Sequence, residues 1–149
     1  MNVTVDLIND NKIQTTIDSN VIKNWVVTAL KTIKVDGDMS ICIKLVNTKE
    51  AAELNLKYRK KDTATNVLSF SIDEQLTKNL LIGDIVLCIE IIKKEAKEYS
   101  KDFENRLKHM IIHGFLHLLN FNHEEEHERS KMEDLEIAIM KKISAGEPY

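Results

Sequence analysis

All five histidines of this 149-residue chain lie between His109 and His127, and none precedes them. His113 and His117 are four apart, so on a helix they project from one face, one turn apart. His123 follows beyond Asn120-Phe121-Asn122. Asparagine tolerates the left-handed conformation that ends helices, so the chain is expected to turn back at Asn120 and aim His123 at the first two rings. Three neutral imidazoles converging on one point make a catalytic-type zinc site with its fourth position open to water. Zinc there lowers the pKa of that water from about 15.7 to about 7 and supplies hydroxide at neutral pH. The competing reading is a set of solvated histidines beside an acidic helix start. His109, one turn before His113, is a fourth ligand, a supporting group or a core residue, with a non-ligand role favoured. His127 is expected at the surface.

The spacing of His113, His117 and His123 equals that of the metzincin peptidases. Gly114, however, stands where the general-base glutamate belongs, and Asn120 replaces a glycine. Without that acid nothing passes a proton to a leaving amine, which argues against peptide hydrolysis. The literal His-Glu-x-x-His match from His123 to His127 sits in an acid-rich, exposed setting and reads as an accident. Gly114 costs roughly 1 kcal/mol in a helix relative to alanine. It either leaves room for substrate beside the metal or lets the helix pack closely on a neighbour.

These groups need a scaffold. Val3–Ile8 alternates as a strand does, and Asp18 is placed to cap a helix with the stripe Val21, Ile22, Trp25, Val26, Ala29, Leu30 and Ile33. Ile41, Ile43 and Leu45 alternate in a second strand, and Thr48 can cap a short helix carrying Ala51, Leu54 and Tyr58. Val67–Ile72 reads as a third strand and Ile85–Cys88 as a short, buried fourth. Helical spacing follows at Ile91, Ile92, Ala96 and Tyr99, then at Leu107, Met110, Ile111, Phe115 and Leu118. The last helix, Glu126 to Ile143, is expected to bury Met132, Leu135 and Ile139 and to be charged elsewhere. Early strands and late helices give an α+β class, with one domain over residues 1–143 and a short tail over 144–149.

The chain is 43% hydrophobic and 30% charged, which suits a globular core and excludes disorder. Two cysteines make no disulfide framework, and both lie in apolar strands as expected inert thiols. No run approaches the ~18 apolar residues of a membrane span, so a cytoplasmic, soluble protein is expected. A net charge of −3 argues against a protein coated in basic residues, but leaves room for a local basic face. Lys57, Arg59, Lys60 and Lys61 form the densest such cluster before the histidines. An arginine fork can hold a phosphate through two hydrogen bonds, and near zinc it would stabilise charge developing on a phosphoryl group. For the lysines a solvated helix end is the favoured reading, and for Arg59 the phosphate role.

His113-Gly114-Phe115-Leu116-His117-Leu118-Leu119-Asn120-Phe121-Asn122-His123 resembles the signature of the YbeY family of bacterial endoribonucleases. The resemblance extends to the stretch from Leu54 to Asp62, to Thr65-Asn66-Val67-Leu68-Ser69-Phe70, to Gly83-Asp84-Ile85, and on to Met132-Glu133. It departs at Asn120 for Gly, Asn122 and Asn66 for Asp, and Ala64 for Pro. The asparagines at 66 and 122 keep size and hydrogen bonding but lose negative charge.

The resemblance implies a small mixed four-stranded sheet packed with about five helices, and one Zn2+ per chain on His113, His117 and His123. It implies a zinc-dependent endoribonuclease that cuts single-stranded RNA in ribosomal RNA maturation, at the 3′ end of the small-subunit RNA, and in ribosome quality control. Arg59 and His117 would serve catalysis, and Arg59, Lys61 and Ser69 would contact the RNA, with loop shaping the other reading of Ser69. The partners implied are ribosomal RNA and the small ribosomal subunit, with its proteins or an assembly GTPase as further candidates, and neither DNA nor membrane. A zinc metallopeptidase and a non-catalytic, metal-stabilised ribosome-assembly factor are the alternatives.

Overall fold

The computed structural model describes residues 2–15, 17–60, 65–71, 81–121 and 125–143. Among them the chain runs β1 (Val3–Ile8), α1 (Ser19–Ile33), β2 (Met39–Val46), α2 (Thr48–Arg59), β3 (Val67–Ser71), β4 (Leu81–Cys88), α3 (Ile89–Glu98), α4 (Phe103–Leu118) and α5 (Glu126–Lys142). This is the expected α+β arrangement: one four-stranded sheet in the order β1-β2-β4-β3. β1 and β4 pair parallel to β2, and β3 pairs antiparallel to β4 at the edge.

Period-two alternation sends successive side chains to opposite faces of this sheet. Met39, Ile41, Ile43 and Leu45 of β2 join Val67, Ile85 and Leu87 in the main core. Val46, Leu68, Val86 and Cys88 face the other way, forming a smaller cluster with Ala51 and Leu54 of α2. α4 lies on the main-core side and packs on β3, β4, α3 and α5. Its expected stripe is buried, and so are Ile112 and Leu116. A helix enclosed on several sides must be apolar nearly all round, so a polar group on it needs a partner.

Local details agree with, and in places correct, the sequence reading. Asp18 caps α1, its carboxylate accepting from the Val21 N–H at 2.9 Å. α2 is capped by Asn47, not Thr48: the Asn47 side chain accepts from the Glu50 N–H at 2.9 Å. β4 starts four residues before the apolar run at Ile85, because its ladder follows the full eight residues of β2. Glu136, not Leu135, takes the fully buried place between Met132 and Ile139 in α5. Cys88 is buried and Cys42 half-buried, and burial pushes both thiols up, which suits inert groups. Among the described residues no helix is long and apolar enough to cross a membrane. The tail after Ile143, Ile72 and the Asp62–Ala64 segment lie outside the described residues.

Candidate metal centre

Three features hold α4 in place. Asp102 caps its start, accepting from the Asn105 N–H at 3.2 Å. Its end closes as the sequence leads one to expect: Asn120 adopts φ +68°, its N–H donates to His117 O, and the Phe121 N–H donates to Leu116 O. These two bonds satisfy carbonyls that a helix end leaves open. The third feature is Gly114, which is buried against the sheet. A Cβ there would stand 3.0 Å from Ser69 Oγ, 3.1 Å from Ile85 Cγ2 and 3.1 Å from Val67 Cγ2. Close packing therefore accounts for this glycine, rather than room for substrate. The Ser69 hydroxyl also donates to Gly114 O at 2.9 Å, tying edge strand β3 to the histidine helix.

His109, His113 and His117 follow one another along α4 at four-residue intervals. The His113 and His117 rings meet nearly edge to face with centroids 4.6 Å apart, and their Nε2 atoms are 3.1 Å apart. Two nitrogens at roughly 2.0–2.1 Å from one tetrahedral ion would lie about 3.3 Å from each other. The pair thus fits a shared ion closely, and both rings keep partial exposure.

Behind this pair stands Glu136 of α5, which the sequence reading took for part of a charged face. It is fully buried, yet its two carboxylate oxygens meet two histidines: Oε1 accepts from His113 Nδ1 at 3.0 Å, and Oε2 contacts His109 Nε2. The ligand atoms of His109, His113 and Glu136 all lie within 4.8 Å of one another, a group that could hold a metal ion. Burial by itself pushes the Glu136 carboxyl up, but hydrogen bonds from His109 and His113 outweigh it and hold the acid down to about 2. An isolated carboxylate in such a place would be costly, so the residue marks a built site.

The polar line continues outward. Arg106 Nη1 donates to His109 Nδ1 at 3.3 Å, and its Nη2 lies 3.4 Å from Glu95 Oε1. Asn66 donates to the same Glu95 oxygen at 2.9 Å, so the residue that departs from the expected aspartate serves a neighbouring carboxylate as donor. A cavity of about 420 Å³ opens beside this line, with Asn66, Arg106, His113, Arg129 and Glu136 on its wall.

The other expected site residues are placed less closely. Arg59 is the exposed last residue of α2, on the side of the sheet opposite α4. Its neighbour Tyr58 packs on Phe70 of edge strand β3, with ring centroids 4.7 Å apart. Ser69 is engaged with the backbone of α4. Lys61 and His123 lie outside the described residues. His127 is exposed, as expected. Glu136 is the site residue that sequence reasoning missed. Its position in the run Met132, Glu136, Ile139 and Met140, an acid on the buried stripe of a helix, was the available signal.

Fold and site together define an α+β protein with a helix-borne histidine pair backed by a buried carboxylate. Comparisons with known proteins narrow this. The family model described as "Endoribonuclease YbeY" matches residues 5–144. A protein of that name from Dichelobacter nodosus is 43% identical over 129 residues, covering 86% of this chain and 83% of its own. A second, from Colwellia psychrerythraea, is 42% identical over 84% of this chain and 83% of its own. The solution structure of TM1509 from Thermotoga maritima superposes with a TM-score of 0.60 at 25% identity, over 96% of this chain and 92% of the other. The chain belongs to the YbeY endoribonuclease family.

Proposed function

We propose that this protein is a zinc-dependent endoribonuclease that cuts single-stranded ribosomal RNA during maturation of the 3′ end of the small-subunit RNA and in ribosome quality control. The small ribosomal subunit, its proteins or an assembly GTPase would be its docking partners, in the cytoplasm. The observation that carries the metal half of this reading is the 3.1 Å approach of the His113 and His117 Nε2 atoms. The family to which the chain belongs, whose relatives are named endoribonucleases, supports the substrate half.

His113, His117 and His123 would hold the ion as neutral donors. When bound, zinc supplies a Lewis-acid charge for a phosphoryl oxygen and lowers the pKa of nearby water. The chain's own residues do the rest. Glu136 accepts the Nδ1 proton of His113, which leaves the lone pair on that ring's other nitrogen and fixes its plane. Arg59, at the exposed end of α2 where Tyr58 packs on edge strand β3, would reach past that edge to grip a phosphate flanking the cut and stabilise the charge that grows there. Lys61 would add a point charge for the RNA backbone, and Ser69 would help position the strand by holding β3 against α4.

Peptide hydrolysis finds no support at position 114. That α-carbon faces β3 and β4, where even a Cβ is crowded, so no general base can be carried there. The deciding experiment incubates wild type and His117→Ala with RNA and with a peptide, with and without chelator. Chelator-sensitive RNA cutting, lost in His117→Ala, is the expected result. Peptide cutting would overturn the reading in favour of a peptidase, and stoichiometric zinc without RNA cutting would leave a binding factor.

A further inference from the structure

The hydrogen bonds behind the histidine pair have a fixed polarity. A guanidinium only donates, so His109 Nδ1, facing Arg106, must accept. The single proton of a neutral His109 ring is then on Nε2, where it meets Glu136 Oε2. An ionised carboxylate only accepts, so His113 in turn carries its proton on Nδ1, facing Glu136 Oε1. Its lone pair is left on Nε2, the atom turned toward His117. Both nitrogens of His109 are used in this line, and neither is free for a metal.

We propose that Glu136, braced by His109 and Arg106, is the positioning residue that sets the tautomer and ring plane of His113, and that His109 is a brace rather than a ligand. This rests on the proposed metal site for its affinity readout, whereas the tautomer readout stands without any metal. The arrangement acts from a buried place: Glu136 and His109 are 0% and 3% exposed. Their geometry is therefore set by the packing of α5 on α4 before any ion arrives. A free histidine side chain favours the opposite tautomer, with the proton on Nε2. Without an acceptor at Nδ1, His113 would present a donor where a lone pair is required.

The test uses long-range 15N–1H NMR of the histidine rings in metal-free protein, together with zinc affinity from competition with a chelator. Three proteins are compared: wild type, Glu136→Met, which removes both acceptors at similar length, and His109→Gln, whose amide keeps a donor toward Glu136 and an acceptor toward Arg106. Wild type and His109→Gln should show His113 protonated on Nδ1. In Glu136→Met the proton should move to Nε2 and zinc affinity should fall about 10- to 100-fold. Zinc should shift the His113 and His117 ring nitrogens and leave those of His109 in place. An Nε2-protonated His113 in wild type would overturn the proposal, and this spectrum decides alone should Glu136→Met fail to fold. Direct zinc coordination by His109, or unchanged tautomer and affinity in Glu136→Met, would overturn it too. Loss of the broader metal reading looks different: His113→Ala and His117→Ala would then bind zinc as wild type does.

Discussion

Replacing Gly114 with alanine tests how tightly the histidine helix is seated. The added methyl would meet Ser69 Oγ at 3.0 Å and the γ2 methyls of Ile85 and Val67 at 3.1 Å, where ordinary contacts fall at about 3.5–4.0 Å. Each neighbour must give by several tenths of an ångström. Val67 and Ile85 are β-branched and stiff at χ1, both belong to paired strands, and Ser69 is bonded to the Gly114 carbonyl. Overpacking of this kind costs about 1–3 kcal/mol, against roughly 1 kcal/mol gained in helix propensity. The net expectation is a loss of about 1 kcal/mol. That corresponds to a fall of about 2–4 °C in Tm for a chain of this size. Urea titration of Gly114→Ala, Val67→Ala and the double variant measures it. Val67→Ala alone loses stability through its cavity, but it removes one of the obstructing methyls, so the double variant should lose less than the sum of the two. A stabilised Gly114→Ala, or strictly additive losses, would refute the close-packing account and reopen the view that this glycine serves the ligand.

Other expectations are as direct. Arg59→Glu should abolish RNA cleavage while leaving zinc content and the unfolding curve as in wild type, since Arg59 is exposed at a helix end; an equal loss of folding would show a structural role. Asn66→Asp would set a second carboxylate against Glu95 Oε1, now 2.9 Å from the amide nitrogen. It should cost on the order of 1 kcal/mol in urea titrations at low salt and less at high salt, which screens the like charges, and a cost unmoved by salt would count against this reading. Glu136 is held at about 2 in the fold against its ordinary 4.5, so its contribution to stability is complete above pH 4.5 and declines as pH falls toward 2. Acid titration of metal-free protein should show that decline in wild type and a flatter profile in Glu136→Met.

Residue patterns carried much of this protein. Alternation at Ile41, Ile43 and Leu45 defines a strand with two faces, and Asp18 ahead of an apolar stripe marks a helix start. The four-residue step from His113 to His117 is a statement about helix geometry, and Asn120 before the turn is a statement about backbone energetics. Each rests on chemistry within a few residues of the chain, which is why each could be read there. The boundaries of β4 and the cap at Asn47 were less legible, because the first depends on the length of a partner strand and the second on two neighbouring residues that both make good caps.

What the linear order could not contain is the meeting of α4 with α5. Glu136 stands 23 and 27 residues from His113 and His109, and in sequence it is one acid among many on a charged helix. Only packing takes it out of water, and only there does its carboxylate require partners and impose a tautomer on them. The reason for Gly114 likewise became visible only when three side chains of the sheet came within reach of its missing Cβ. Local sequence determined which residues could do chemistry, and burial decided which of them are held in one state to do it.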